Sequence, residues 1–286
     1  MMLWKRKSSL VFGLSLLIAS VVWSQMGMYL AHLLFGVNLK MNFFKLCLSL
    51  FRDNSLYYFM MIFLLNTVIV YSIMITLVNV VQQYVRSTKF KSKIMSLRND
   101  YLTKHLIEEF GLQHQDLIVI DHNQSMAFTL GFRNPLIVLS SGLVELLDRD
   151  ELEAVIEHEA FHKNNHDSMK IFILQVISRA LWFIPLTKWS YQNCTIMSEL
   201  LADEYAIRKT GSELGLSSAL LKLIKVSFTN QAAPAMTHFA EVSVNFRLQQ
   251  LLHPQRSIPV KLGMTSIVIS IHMLLLLMGV IVLAIA

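Results

Sequence analysis

The segment Glu157-His158-Glu159-Ala160-Phe161-His162 sets two histidines four residues apart, with a glutamate directly after the first. Residues four apart on an α-helix stack on one face, so His158 and His162 can offer two imidazole nitrogens to one metal ion. Zn2+ takes nitrogen, sulfur or carboxylate oxygen in a tetrahedral site, and a catalytic site keeps one position for water, whose pKa falls toward ~7. Glu159 adjoins a ligand without being one. That suits it to take a proton from the water and return it to a leaving amine.

Two imidazoles do not hold a catalytic zinc, so a third ligand must come from elsewhere. A metzincin would need Gly at position 165 and His at position 168, where the chain has Asn165 and Ser168. Downstream, Ser198-Glu199-Leu200-Leu201-Ala202-Asp203-Glu204 places Glu199 and Asp203 four apart. One carboxylate can bind metal while the other accepts a hydrogen bond from a ligand histidine and fixes its tautomer. Glu204 is the competing ligand, but it points about 100° away from Asp203. Asp167, five residues past His162, is a further group able to hold a ligand imidazole, and neighbouring His166 reads as an exposed polar residue.

The elements that must position these groups are legible around them. Asp148 is an N-cap with Glu151 three residues on, a capping box, and Leu152, Val155, Glu159 and His162 then share one inward stripe. Asn99 caps a short helix ending near Gly111. Leu117–Ile120, Ala127–Leu130 and Leu136–Leu139 are short β-rich runs with Asn, Gly and Pro between them, read as a small antiparallel sheet beside the histidine helix. Ser212–Phe228 and Glu241–Leu251 read as amphipathic helices packed on the zinc core, the second bearing Arg247. His238 precedes it, and either residue could stabilise a tetrahedral oxyanion.

The run EHEAFHKNNHD, preceded by AFTLGFRNPLIVLSSGLVELLDRDELEAVI and followed by WFIPL and SELLADEYA, resembles the membrane-embedded metallopeptidases of the BlaR/MecR type, the antirepressor peptidases. A more distant likeness is to the HtpX and CAAX-prenyl-protease family, which shares HExxH and E-x-x-x-D. The likeness is clearest over residues 116–210. It implies His158, His162 and Glu199 as Zn2+ ligands, Glu159 as general base and Asp203 behind a ligand imidazole, the glutamate-zincin arrangement. Peptidases of this kind hold the scissile segment extended along an exposed strand, which points to Ala127, Phe128, Thr129 and Leu130 as the substrate strand. The resemblance implies regulatory proteolysis of a protein substrate, a repressor or another membrane protein, while the HtpX likeness implies quality control of damaged membrane proteins. A zinc-stabilised sensor or scaffold without catalysis is the reading from another class. An intact Glu159 argues against it, because a purely structural site has no need of a base.

Apolar residues make up 54% of the 286-residue chain and charged residues 15%. With a mean hydropathy of +0.51, that composition belongs to an integral membrane protein. Val11–Leu39, Asn54–Val85 and Leu262–Ala286 each exceed the ~20 residues needed to cross a bilayer. The first is read as a retained anchor, too long for a signal-peptide core. Lys5, Arg6 and Lys7 precede it, while Arg86, Lys89, Lys91, Lys93 and Arg98 follow the second span, so the N-terminus and the zinc segment are expected in the cytoplasm. The net charge of +6 then reflects anchoring beside the membrane, with no direct nucleic-acid partner. Cys47 and Cys194 fall on opposite sides and are expected to be free.

Ser168–Leu186 is apolar enough to tempt a further crossing, but a simple crossing would separate His162 from Glu199 by the bilayer. It is read as a buried, membrane-surface or re-entrant helix ending at Pro185. The expected architecture is therefore a mainly α integral membrane protein of the cell membrane. It comprises an N-terminal transmembrane hairpin (1–84), a cytoplasmic α+β gluzincin-like zinc metallopeptidase domain (85–261) and a C-terminal transmembrane helix (262–286). Antibiotic sensors of the resembled family carry an extracellular domain after the last span, whereas this chain stops at Ala286. An outside signal is expected to arrive through the loop at residues 36–55 or through a partner protein, and a sensor partner or a homodimer is the expected assembly.

Overall fold

A computed structural model describes residues 2–36, 48, 55–113, 116–229, 244–250 and 263–285. The chain divides into two compact units. One comprises Met1–Ser8, Gln83–Phe172 and Asn193–Pro259, and the other Ser9–Gln82, Ile173–Gln192 and Val260–Ala286.

The second of these units is largely apolar. Helices α1 (Met2–Phe35) and α2 (Leu56–Ser96) are long and apolar enough to cross a membrane. On α2 the large side chains Phe63 and Val70 are 74% and 57% exposed, a surface that water does not tolerate at this scale and that hydrocarbon does. The basic residues that follow the expected span continue α2 as far as Ser96. No Gly or Pro interrupts that stretch, and its Lys, Arg and Met are good helix formers. The stretch expected as the third span forms the last described helix, Met264–Ile285.

Helix α6 (Asp167–Ala180) and the start of α7 (Pro185–Thr210) form a hairpin whose residues 173–192 belong to this apolar unit, so the chain enters it and returns. Ile177, Leu181 and Ile184 pack there with Ile18, Val22 and Ile69 in one buried cluster. Pro185 opens α7 where it had been expected to end a helix. The first helical position has no intrahelical partner for an N–H, so proline is favoured there. Polar groups in the hairpin find partners close by: Thr187 Oγ1 donates to the Ile184 oxygen at 2.8 Å, the Leu186 amide to Ser270 Oγ at 3.1 Å, and Arg179 to Asn79. Backbone and hydroxyl groups need such satisfaction in an apolar setting.

The other unit holds the chemistry-bearing residues. Its sheet is three-stranded, β1 (Leu117–Ile120), β2 (Ala127–Leu130) and β3 (Leu136–Ser140), in the order β1-β3-β2. It is mixed and not antiparallel as expected: β3 pairs antiparallel with β2 but parallel with β1. Leu136-Ile137-Val138-Leu139 is apolar on both faces and takes the centre, while Thr129 brings a polar side chain to β2 at the edge. Leu117, Val119, Ile137 and Leu139 face one core with Leu152, Val155 and Ile156; Ile118, Ile120 and Val138 face a second with Ile94.

Helix α3 (Asp100–Phe110) has Asn99 as N-cap and left-handed Gly111 as C-cap. The short α4 (Ser141–Leu146) leads from β3 to α5 (Arg149–Asn165), whose capping box of Asp148 and Glu151 is complete. Buried Glu151 also accepts from Ser218 and Lys222 of α8 (Glu213–Thr229), which pins the start of α5 to α8. Burial pushes its carboxyl up, but Lys222, Ser218 and the Asp148 amide outweigh that and hold it below the usual range.

Candidate metal centre

Helix α5 presents Leu152, Val155, His158, Glu159 and His162 as buried residues, because its turns stack those positions against the sheet and α8. Helix α7 returns from the apolar unit carrying Glu199 and Asp203. The ligating atoms of His158, His162 and Glu199 lie within 4.8 Å of one another. The two Nε2 atoms are 3.2 Å apart, and each is 3.5 Å from an oxygen of the Glu199 carboxylate. Glu204 is not part of this convergence.

The outer nitrogens are held from behind. His162 Nδ1 is 3.0 Å from Asp167 Oδ2, and Asp167 is itself 3.4 Å from the Lys170 ammonium. His158 Nδ1 is 2.9 Å from Asp203 Oδ1, close but off the line of a hydrogen bond. Asp167 favours a proton on His162 Nδ1 and Asp203 lies beside His158 Nδ1, which leaves the Nε2 atoms facing Glu199. Two imidazole nitrogens and one carboxylate form the donor set that Zn2+ accepts, so the residues fit the ion.

Electrostatics favours a cation at the same point. Burial and the Arg247 cation both push the His158 imidazole down, yet Asp203 and Glu199 outweigh them and hold it at about 9. Burial would raise Glu199, but His158, His162 and Arg247 hold it well below the usual carboxylate range. The donor set draws positive charge, and a metal ion competes there with a proton.

Arg247 lies on the helical segment 244–250. Its guanidinium forks onto Asp203 at 2.8 and 2.7 Å and reaches Glu199 at 3.4 Å. Burial lowers the guanidinium pKa, but the Asp203 and Glu199 carboxylates raise it further, so it stays charged. In this structure it therefore clamps the two α7 carboxylates, and it also lines the cavity. His238, the other residue expected to face an oxyanion, lies outside the described residues. His166 is exposed, as read from the sequence, but it adopts φ 51° and caps α5 in the left-handed conformation.

These groups open into a cavity of about 740 Å3 bounded by Ala127, Phe128 and Thr129 on one side and by Val155, Leu216 and Leu220 on the other. Glu159 lies in it, with Thr129 Oγ1 2.9 Å from its Oε2. The sequence places Thr129 in the expected substrate strand but does not tie it to Glu159. No spacing rule links positions 129 and 159, and the signal was limited to a polar residue within an apolar run.

A sequence model of the family described as BlaR1 peptidase M56 matches residues 47–251, well over half of the chain. The chain belongs to the M56 peptidase family. Among curated proteins, this M56 chain is 28% identical over 176 residues to "Protease HtpX homolog" of Pyrococcus abyssi, covering 48% of the chain and 61% of that protein. It is 34% identical over 100 residues to a protein of the same name from Helicobacter pylori, covering 33% and 32% respectively. "Protease HtpX" of Acinetobacter baumannii matches at 32% over 77 residues, 26% of each chain. The chain thus spans less than two thirds of the length of these relatives. The family and the two apolar helices agree on a membrane protein.

Proposed function

We propose that the protein is a membrane-anchored zinc metalloendopeptidase that cleaves a protein substrate at the cytoplasmic face of the cell membrane. The observation that carries the reading is the convergence of His158, His162 and Glu199 with Glu159 in one cavity, each imidazole backed by its own carboxylate. His158, His162 and Glu199 would hold Zn2+, which when bound polarises a carbonyl and lowers the pKa of water toward ~7.

The protein's own residues supply the rest. Glu159 takes the proton of the attacking water and passes it to the leaving amine. Asp203 and Asp167 keep both imidazoles in the ligating tautomer. Arg247 neutralises the paired charge of Asp203 and Glu199, so that the buried carboxylates do not repel each other.

Strand β2 is the edge that receives substrate. The Ser140 amide donates to the Met126 oxygen at 3.0 Å, so by the alternation of an antiparallel ladder Phe128 also faces β3, while Ala127 and Thr129 turn their N–H and C=O groups to the free edge. An extended peptide can pair there, with Ser168 Oγ, 3.5 Å from the Thr129 oxygen, as the neighbour it displaces.

The basic residues flanking α1 and α2 support a cytoplasmic active site, and the Met264–Ile285 helix is read as a third span. Regulatory cleavage of a repressor or a membrane protein is the favoured biology. The likeness to proteins named HtpX supports broader degradation of membrane proteins as the second reading. Comparative proteomics of new protein termini in cells carrying wild type or Glu159→Gln tests both. One or a few substrates lost with the variant support regulation, many support the second reading, and identical termini refute the peptidase.

A further inference from the structure

One side chain joins the β2 edge to the Glu159 carboxylate. Thr129 Oγ1 lies 2.9 Å from Glu159 Oε2 and 3.0 Å from the Glu159 main-chain oxygen. A hydroxyl has a single proton, so it grips one of these oxygens at a time while staying beside both. The same residue turns its own N–H and C=O to the free edge of β2, through the register that pairs Thr129 with Ile137 and leaves Phe128 to the inner ladder. β-Branching leaves χ1 of threonine few choices, so the direction of the hydroxyl follows the direction of the strand.

We infer that Thr129 is a positioning residue through which a peptide laid along β2 sets the general base. The inference rests on the peptidase reading given above. A glutamate side chain has three torsions and disperses unless something holds it. Without the hydroxyl, the Glu159 carboxylate loses this hydrogen bond, and its side chain spreads over rotamers that do not face the water it must deprotonate. Peptide pairing stiffens β2, β2 fixes Thr129, and Thr129 fixes Glu159. Binding at the edge is thereby converted into orientation at the reacting centre, which shows in kcat more than in KM.

The test compares steady-state cleavage of β-casein, a probe rich in extended segments, by zinc-loaded wild type, Thr129→Val, Thr129→Ser, Ala127→Pro and Glu159→Gln in detergent. Valine keeps the shape of the side chain and the strand. Thr129→Val is expected to lose about 10- to 100-fold in kcat, part of the ~10²- to 10⁴-fold that a general base supplies, with KM and zinc content within about twofold of wild type. Thr129→Ser restores most of the rate. Ala127→Pro, which removes an outward N–H and leaves the hydroxyl, raises KM instead. A Thr129→Val enzyme with wild-type kcat overturns the inference. So does Thr129→Ser as slow as Thr129→Val, or loss of zinc from Thr129→Val, which makes the residue a fold element only. Glu159→Gln as fast as wild type is a different failure, that of the peptidase reading itself.

Discussion

Asp167 sits 3.0 Å from His162 Nδ1, although five residues along an unbroken helix would leave the two side chains about 140° apart. The break at His166 makes the contact. Its left-handed backbone, φ 51°, ends α5 and turns Asp167 back onto the imidazole. A non-glycine residue in that conformation costs about 1 to 2 kcal/mol, which the Asp167–His162 bond and the Lys163–Asp116 ion pair beside it help to offset.

Asp167→Asn is therefore expected to weaken zinc binding by about 10- to 100-fold, measured by competition with a chelator. His166→Gly should keep wild-type affinity, since glycine takes the left-handed conformation freely. His166→Val should weaken it as Asp167→Asn does. Equal affinity in all three variants would separate the turn from the metal site.

Glu199 and Asp203 predict different losses. Glu199→Ala leaves two imidazoles and should abolish stable zinc binding. Asp203→Ala removes the group behind His158 and leaves the Arg247 cation facing Glu199 alone, with an expected loss of about 10- to 100-fold in affinity. Metal analysis of the purified variants reads the order. Full zinc in Glu199→Ala together with loss in Glu204→Ala would move the third ligand.

The pinning of α5 to α8 gives a pH dependence. Glu151 is held below the usual carboxylate range in the folded protein, so its stabilisation is present above the unfolded pKa of about 4.3 and is lost as pH falls through the lower folded value. Glu151→Gln should lower stability by about 1 to 2 kcal/mol at pH 7, through the capping box and its bonds to Ser218 and Lys222. Thermal unfolding in detergent should show the gap between variant and wild type closing as the pH drops below about 4. A gap that widens on acidification would contradict the sign.

Topology of the zinc side needs a reporter other than Cys194. Cys194 is buried, and burial pushes its thiol up to about 12, so it would resist a labelling reagent on either side of the membrane. Tyr101 is 78% exposed at the start of α3. In a Cys47→Ser background, a Tyr101→Cys variant should react with an impermeant maleimide only after the cells are permeabilised. Labelling in intact cells would place the α3 side outside and refute a cytoplasmic substrate.

Short-range physics made much of this legible in the sequence. The capping box at Asp148, the Asn99 and Gly111 caps, the inward stripe of α5 and the pairing of Glu199 with Asp203 all follow from helical periodicity and local hydrogen bonding. The rest depended on non-local geometry. Strand order turned on pairing between runs far apart in the chain, since β1 and β3 are both apolar on both faces. Pro185 was ambiguous because proline both ends helices and opens them, and the hairpin of residues 173–192 shows only once Ile177 and Leu181 have found Ile18 and Ile69. Arg247 reaches Asp203 from 44 positions away, and Thr129 reaches Glu159 from 30, distances over which no pattern in the chain carries a signal.

The central claim, that Glu159 is the base of a zinc peptidase held by His158, His162 and Glu199, is tested most directly by Glu159→Gln. The purified variant should carry about one zinc per chain, as wild type does, because every ligand remains, and should lose at least ~100-fold in cleavage of a substrate found by terminal proteomics. Full zinc with undiminished cleavage would contradict the assignment of the base, and absence of zinc from both proteins would contradict the metal centre.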